Sequence, residues 1–74
     1  MKLSDMQVGS SGRIISIDGG SSSQTRITSV GLIPGTVVDV MKNSKRYPML
    51  IFAKSTLLAL DRKECSLIEM EVTK

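Results

Sequence analysis

The sequence has no histidine, no tryptophan, a single cysteine and only two aromatic residues, Tyr47 and Phe52. Each shortage excludes a class of chemistry. Without histidine the chain lacks the side chain that ordinarily titrates near neutral pH and the imidazole that most transition-metal sites use. A lone cysteine, Cys65, cannot build an internal disulfide framework, which fits a reducing compartment. Cys65 sits between Glu64 and Ser66 with no histidine to activate it, so it reads as a core residue and not a nucleophile. No apolar run approaches the ~18 residues of a membrane span, and the N-terminus lacks the apolar segment of a secretion signal. These absences predict a cytoplasmic chain that is not an enzyme and carries no cofactor.

The residues present make one small domain over 1–74, with 41% hydrophobic content. With so few aromatics, its core is expected from Ile, Val, Leu and Met. The net charge of +3 is mild and spread along the chain. Nucleic-acid binders add a dense basic face or stacking aromatics, and neither is evident, so nucleic acid is not the expected partner. The carboxylates are scattered and read as helix caps or solvent-facing groups. Glu69 and Glu71 share a strand face and could hold a metal weakly, but no metal ligands are assigned.

The segment Val30 to Thr36 organises the rest. Gly31 suits a helix end that needs positive φ. Pro34-Gly35 suits the central positions of a type II turn. Before this segment, Leu3 to Gly9 predicts one helical turn, with Ser4 and Gln7 at capping-box spacing and Leu3 and Val8 at staple spacing. Arg13 to Asp18 predicts a first strand, with Ile15 and Ile17 on one face and Ile14 and Ser16 on the other. The Gly19 to Ser23 run reads as a loop and lacks the spacing of a phosphate-binding motif. Thr25 to Val30 then predicts a short helix capped by Ser21 or Ser23, with Ile27 and Val30 inward and Arg26 outward or paired with an acid.

Beyond the turn, Thr36 to Lys42 predicts a second strand with Val38 and Val40 inward. Lys42, Lys45 and Arg46 cluster in and beside a polar loop, which reads first as solvated surface. Met49 to Lys54 and Thr56 to Leu60 predict a hairpin about a Lys54-Ser55 turn, pairing Ile51 with Leu58 and Met49 with Leu60 inside. Its outer face then holds Leu50, Phe52, Leu57 and Ala59, with Phe52 opposite Leu57. Asp61 to Glu64 predicts a capped turn of helix, and Leu67 to Val72 a closing strand with Ile68, Met70 and Val72 on one face. Five short strands with short helices predict a mainly β fold, a small SH3-like barrel, with an OB-fold as the competitor.

Three stretches resemble the ferrous-iron transport protein A (FeoA) family. They are Leu3-x-x-Met6-x-x-Gly9-x-x-Gly12-Arg13-Ile14-Ile15-x-Ile17, then Arg26-Ile27-x-x-Val30-Gly31-Leu32-Ile33-Pro34-Gly35-Thr36-x-Val38-x-Val40, then Pro48-Met49-x-Ile51 through Leu58-Ala59-Leu60 to Cys65-x-x-Ile68-x-Met70. The resemblance covers nearly the whole chain. It implies an SH3-like barrel in the bacterial cytoplasm and an accessory role to FeoB, the ferrous-iron transporter, at its cytoplasmic GTP-binding or membrane-proximal region. It also implies kinship with the C-terminal domain of metal-dependent repressors, and keeps transition-metal binding as a family association. This sequence departs from the family pattern at Ser55, where glycine is usual, and at Leu50, Phe52 and Leu57, where polar residues are usual. That apolar outer face is the candidate contact surface, for FeoB or for a second copy of the chain, with Lys42, Lys45 and Arg46 as the candidate charged contribution. A stand-alone regulatory domain of a repressor system and a nucleic-acid-binding barrel remain the alternatives.

Overall fold

The computed structural model describes residues 1–74. In chain order it contains an N-terminal 3-10 turn (Leu3–Asp5), β1 (Ser11–Ile17), α1 (Ser21–Ser29), β2 (Val37–Lys42), β3 (Met49–Ala53), β4 (Thr56–Leu60), α2 (Arg62–Cys65) and β5 (Ile68–Val72). The strands form one antiparallel sheet in the order β4-β3-β2-β1-β5. Inward and outward residues alternate along the strands, except at bulges in β1 and β2. Val38 and Val40, then Met49 and Ile51, then Ile68 and Met70 face the core, joined by Leu3, Met6, Ile27 and Leu32 from the connections. No aromatic residue lies in that core.

The Val30–Thr36 segment joins helix to strand. Gly31 has φ of 95° and its N–H donates to Thr28 O at 2.9 Å, while Leu32 N–H donates to Ile27 O at 3.3 Å. Those two bonds are the Schellman end of α1, and they satisfy carbonyls the helix would leave bare. Gly35 has φ of 94°, and Thr36 N–H donates to Ile33 O at 3.0 Å, which closes the type II turn. The turn is then tied to the first strand: Gly35 N–H donates to Ile14 O at 2.7 Å and Ile14 N–H to Thr36 O at 2.9 Å.

Several expectations need correction. In β1 it is Ile14 and Ile17 that turn inward, while Ile15 is exposed. The β1–β5 register shifts between Ile14 and Ser16, so Ile15 is the extra residue of a bulge and the alternation resets after it. Helix α1 starts at Ser21, four residues earlier than expected, with Gly20 as its N-cap and no side-chain cap. Gln24 donates instead to Ile17 O at 2.9 Å, which holds the helix to the end of β1. The N-terminal turn is 3-10, is preceded by Lys2, and forms no capping box; Val8 is exposed, so no staple forms either. Asp61 occupies the N-cap of α2 without a side-chain cap bond. Val30 and Val72 lie outside the core.

The β3–β4 hairpin has the expected register: Met49 opposes Leu60, Ile51 opposes Leu58 and Phe52 opposes Leu57. Its two turn residues take positive φ, 52° at Lys54 and 60° at Ser55. That is the type I′ geometry that matches strand twist, adopted here by residues that disfavour it.

The two sheet edges differ. Along β5, Met70 N–H donates to Met1 O at 2.7 Å and Lys2 bridges to Glu69, so the N-terminal residues cover that edge. Strand β4 is paired on one side only. Replacing Ser55 with glycine removes a side chain from the left-handed region. Ser55→Gly should stabilise the chain by about 1 kcal/mol, read as a higher urea midpoint at unchanged m-value.

Candidate interaction surface

The outer face of the hairpin is uncovered. Phe52 is 39% exposed, Leu57 opposite it 55% exposed, and Leu50 is half-buried beside the exposed Ala59. Neither α1 nor the C-terminal strand shields them, because β5 lies at the far edge of the sheet. Strand β2 continues the face: Asp39 opposes Phe52 and Lys42 opposes Leu50. The β2–β3 register shifts between Val40 and Lys42, making Met41 a bulged, exposed residue.

The basic loop meets the apolar face in a shallow groove. About 370 Å³ of space is lined by Lys42, Ser44, Tyr47, Pro48, Leu50 and Ala59. Tyr47 is 67% exposed. The structure therefore brings Lys42 and Leu50 to one groove and sets Phe52 and Leu57 next along the hairpin. Lys45 and Arg46 lie in the adjoining loop, exposed. None of Lys42, Lys45 and Arg46 takes part in an ion pair; the basic groups that do are the Met1 amino group, Lys2, Arg13 and Arg26. This end of the surface thus carries uncompensated positive charge. Sequence reasoning set Ala59 on the outer face beside Leu50 but missed Tyr47 and Pro48 as parts of the groove. The signal was available in the Tyr-Pro step that opens β3, but the bulge that turns it toward Leu50 is a tertiary feature.

Two polar side chains hold the loop in place. Asn43 donates to Met6 O at 2.7 Å and Ser4 O at 3.2 Å, and Arg62 donates to Asn43 Oδ1 at 2.6 Å and Ser44 O at 3.2 Å. The N-terminal turn, the loop and α2 are therefore cross-braced by two side chains that sequence reasoning did not single out. A further hollow along α1 is lined by Ser21, Gln24, Thr25, Thr28 and Ser29 alone, one polar helix face.

Acid–base and metal chemistry find little to work with. Cys65 is fully buried, and burial pushes its thiol up to about 12, against a smaller opposing pull from the Arg62 charge. The N-terminal ammonium, with Lys2, holds the Glu69 carboxyl below its usual range, and Glu71 lies 3.8 Å from Arg13. Both carboxylates are thus occupied by cations, and no three His, Cys, Asp or Glu side chains cluster. The donor set does not fit a transition metal held within one chain. No helix is long and apolar enough to cross a membrane.

A five-stranded antiparallel sheet wrapped on an aliphatic core, with an apolar hairpin face turned outward, places the chain in the class of small SH3-like β domains. A family model described as the FeoA domain matches residues 1–72, and the chain belongs to the FeoA family. No curated protein matches it. Among solved structures, an iron uptake regulatory protein (FeoA) superposes with a TM-score of 0.94 at 23% identity, over 99% of this chain and 97% of its own. The FeoA of Stenotrophomonas maltophilia, solved with zinc and described as an SH3 domain protein, gives a TM-score of 0.81 at 20% identity, over 96% of this chain and 89% of its own. A manganese-dependent transcriptional repressor gives 0.92 at 13% identity, covering 99% of this chain but 36% of the repressor.

The state of Cys65 is directly measurable. In native buffer at pH 8 its reaction with Ellman's reagent should be at least ~100-fold slower than in denaturant, since only opened molecules expose a thiolate. The raised thiol also sets a pH window. Its contribution to stability is complete below the unfolded-state value near 9.0 and is lost as pH rises toward about 12, because the unfolded chain releases the proton first. Chemical denaturation should show that alkaline loss in the native sequence and a shallower one in Cys65→Ala.

Proposed function

We propose that this chain is a non-enzymatic accessory protein of ferrous iron uptake and that it docks on the FeoB transporter through the outer face of the β3–β4 hairpin. Membership of the FeoA family supports the accessory role. One observation carries the docking surface: the chain has two aromatic residues and both lie outside the core, at 67% exposure for Tyr47 and 39% for Phe52, on either end of β3. Aromatic side chains are the favoured anchors of protein contacts, and a small domain that builds its core without them leaves them free for that use. Leu50, Leu57 and Ala59 extend the apolar area between and beside them. Lys42, Lys45 and Arg46 supply positive charge at one end, which steers the chain toward an acidic surface of the transporter's GTP-binding or membrane-proximal region.

A second reading has one observation in its favour. The backbone follows a domain of a manganese-dependent repressor at a TM-score of 0.92. On that reading the chain is a stand-alone regulatory domain related to metal-dependent repressors. The donor set described above means that it would act through protein contacts and not through a metal of its own.

Docking through the hairpin is tested by Phe52→Ser combined with Leu57→Ser. Titrated calorimetrically against the cytoplasmic part of FeoB, the double variant should bind at least about tenfold more weakly while keeping the native circular-dichroism spectrum. Unchanged affinity would place the contact elsewhere. Loss of the folded spectrum would show that these side chains belong to the core and would also refute the proposal.

A further inference from the structure

One segment of the chain carries charge of a single sign. From Val40 to Leu60 there are Lys42, Lys45, Arg46 and Lys54 and no carboxylate. The carboxylates that pair with cations are Asp18, Glu64 on α2, and Glu69 and Glu71 on β5. Lys45 and Arg46 are the two central residues of a turn that the Tyr47 N–H closes on Ser44 O at 3.1 Å. The base of that turn is fixed, because Arg62 also donates to Ser44 O and Asn43 donates to Ser4 O and Met6 O. Arg62 hydrogen-bonds only to neutral oxygens, so it adds its own positive charge behind the turn. Tyr47 follows the two cations and is largely exposed. Pro48, Leu50 and Ala59 line the groove beside it, together with Lys42.

We propose that this turn binds an anionic phospholipid surface, with Lys42, Lys45 and Arg46 on the headgroup phosphates and Tyr47 seated at headgroup level. Three features select that occupant. The first is the single sign of the charge. A protein contact fixes its register through placed charges, whereas a lipid surface has no register and asks only for positive charge and apolar area. The second is reach: Lys and Arg extend their charged heads to phosphates while their methylene stems lie along apolar surface. The third is Tyr47, apolar in its body and polar at its tip, as residues of the membrane–water interface are. Single-stranded nucleic acid calls for successive stacking rings, and the groove holds one. The inference goes beyond docking on the transporter, because it holds for membranes that contain none.

Tyr47 is the sole tyrosine of a chain without tryptophan, so its emission reports on this turn alone. The chain should co-sediment with vesicles of phosphatidylglycerol and phosphatidylcholine in equal parts, and acrylamide should then quench Tyr47 less than in solution. Neither should happen with pure phosphatidylcholine, and ~0.5 M salt should release the bound chain. Lys45→Gln combined with Arg46→Gln should weaken binding roughly twentyfold, about fivefold for each charge, at an unchanged circular-dichroism spectrum. Absence of binding to the anionic vesicles, equal binding to neutral ones, or undiminished binding by the double variant would overturn the proposal. So would tighter binding to polyglutamate or to oligothymidylate than to the vesicles, which would assign the turn to an acidic protein or to a nucleic acid. Should the double variant lose the native spectrum, the lipid comparison and the salt dependence of the native chain decide.

Discussion

The pair of backbone hydrogen bonds between Ile14 and the turn at Gly35-Thr36 is the constraint on which the arrangement depends. Two glycines in the left-handed region, Gly31 and Gly35, let the chain end α1 and reverse direction within a few residues. Because the reversal is bonded to the middle of β1, β2 can enter the sheet in one register only, with Val38 opposite Gly12. Val38 and Val40 then face the core, and Asp39 faces out. From Asp39 opposite Phe52 the outward direction passes to β3, and through the tight Lys54-Ser55 turn to Leu57 on β4. The apolar outer face follows from this chain of registers. A sheet has a side-chain period of two, so slipping the β2–β3 pairing by one residue would turn Phe52 inward and Ile51 outward.

Much of this was legible in the residues. Gly-Leu-Ile-Pro-Gly announces its own conformation, because glycine and proline are chosen by backbone angle and hardly by neighbours. The hairpin was legible because two apolar runs of equal length admit only one pairing that buries Met49, Ile51, Leu58 and Leu60 together. What escaped was anything set by tertiary contact. The bulges at Ile15 and Met41 leave no local mark, yet each moves a side chain from one face to the other. Capping patterns misled for a related reason. Gln24 has the spacing to cap α1 but bonds to the end of β1, and the N-terminal turn is held by Asn43 and Arg62 from distant elements. Polar side chains take the partner the fold brings nearest, and local spacing is only one way to supply it.

The candidate surface divides in the same way. Its apolar half, Leu50, Phe52 and Leu57, followed from strand alternation. Its groove depends on where the bulge and the Tyr47-Pro48 step carry the chain, and those are properties of the folded sheet. The negative side of the picture is equally physical. Cys65 is buried among aliphatic side chains, Glu69 and Glu71 are matched by cations, and histidine is missing. What such a molecule has to offer a partner is shape, apolar area and an edge of positive charge.

The most direct test of this account maps the contact on the native chain. Isotope-labelled protein would be titrated with the cytoplasmic part of FeoB, with and without guanine nucleotide, and its amide resonances followed. The account predicts shifts concentrated at Leu50, Phe52 and Leu57, with weaker ones from Lys42 to Arg46. Shifts confined to α1 or to the termini, or none in any nucleotide state, would contradict it.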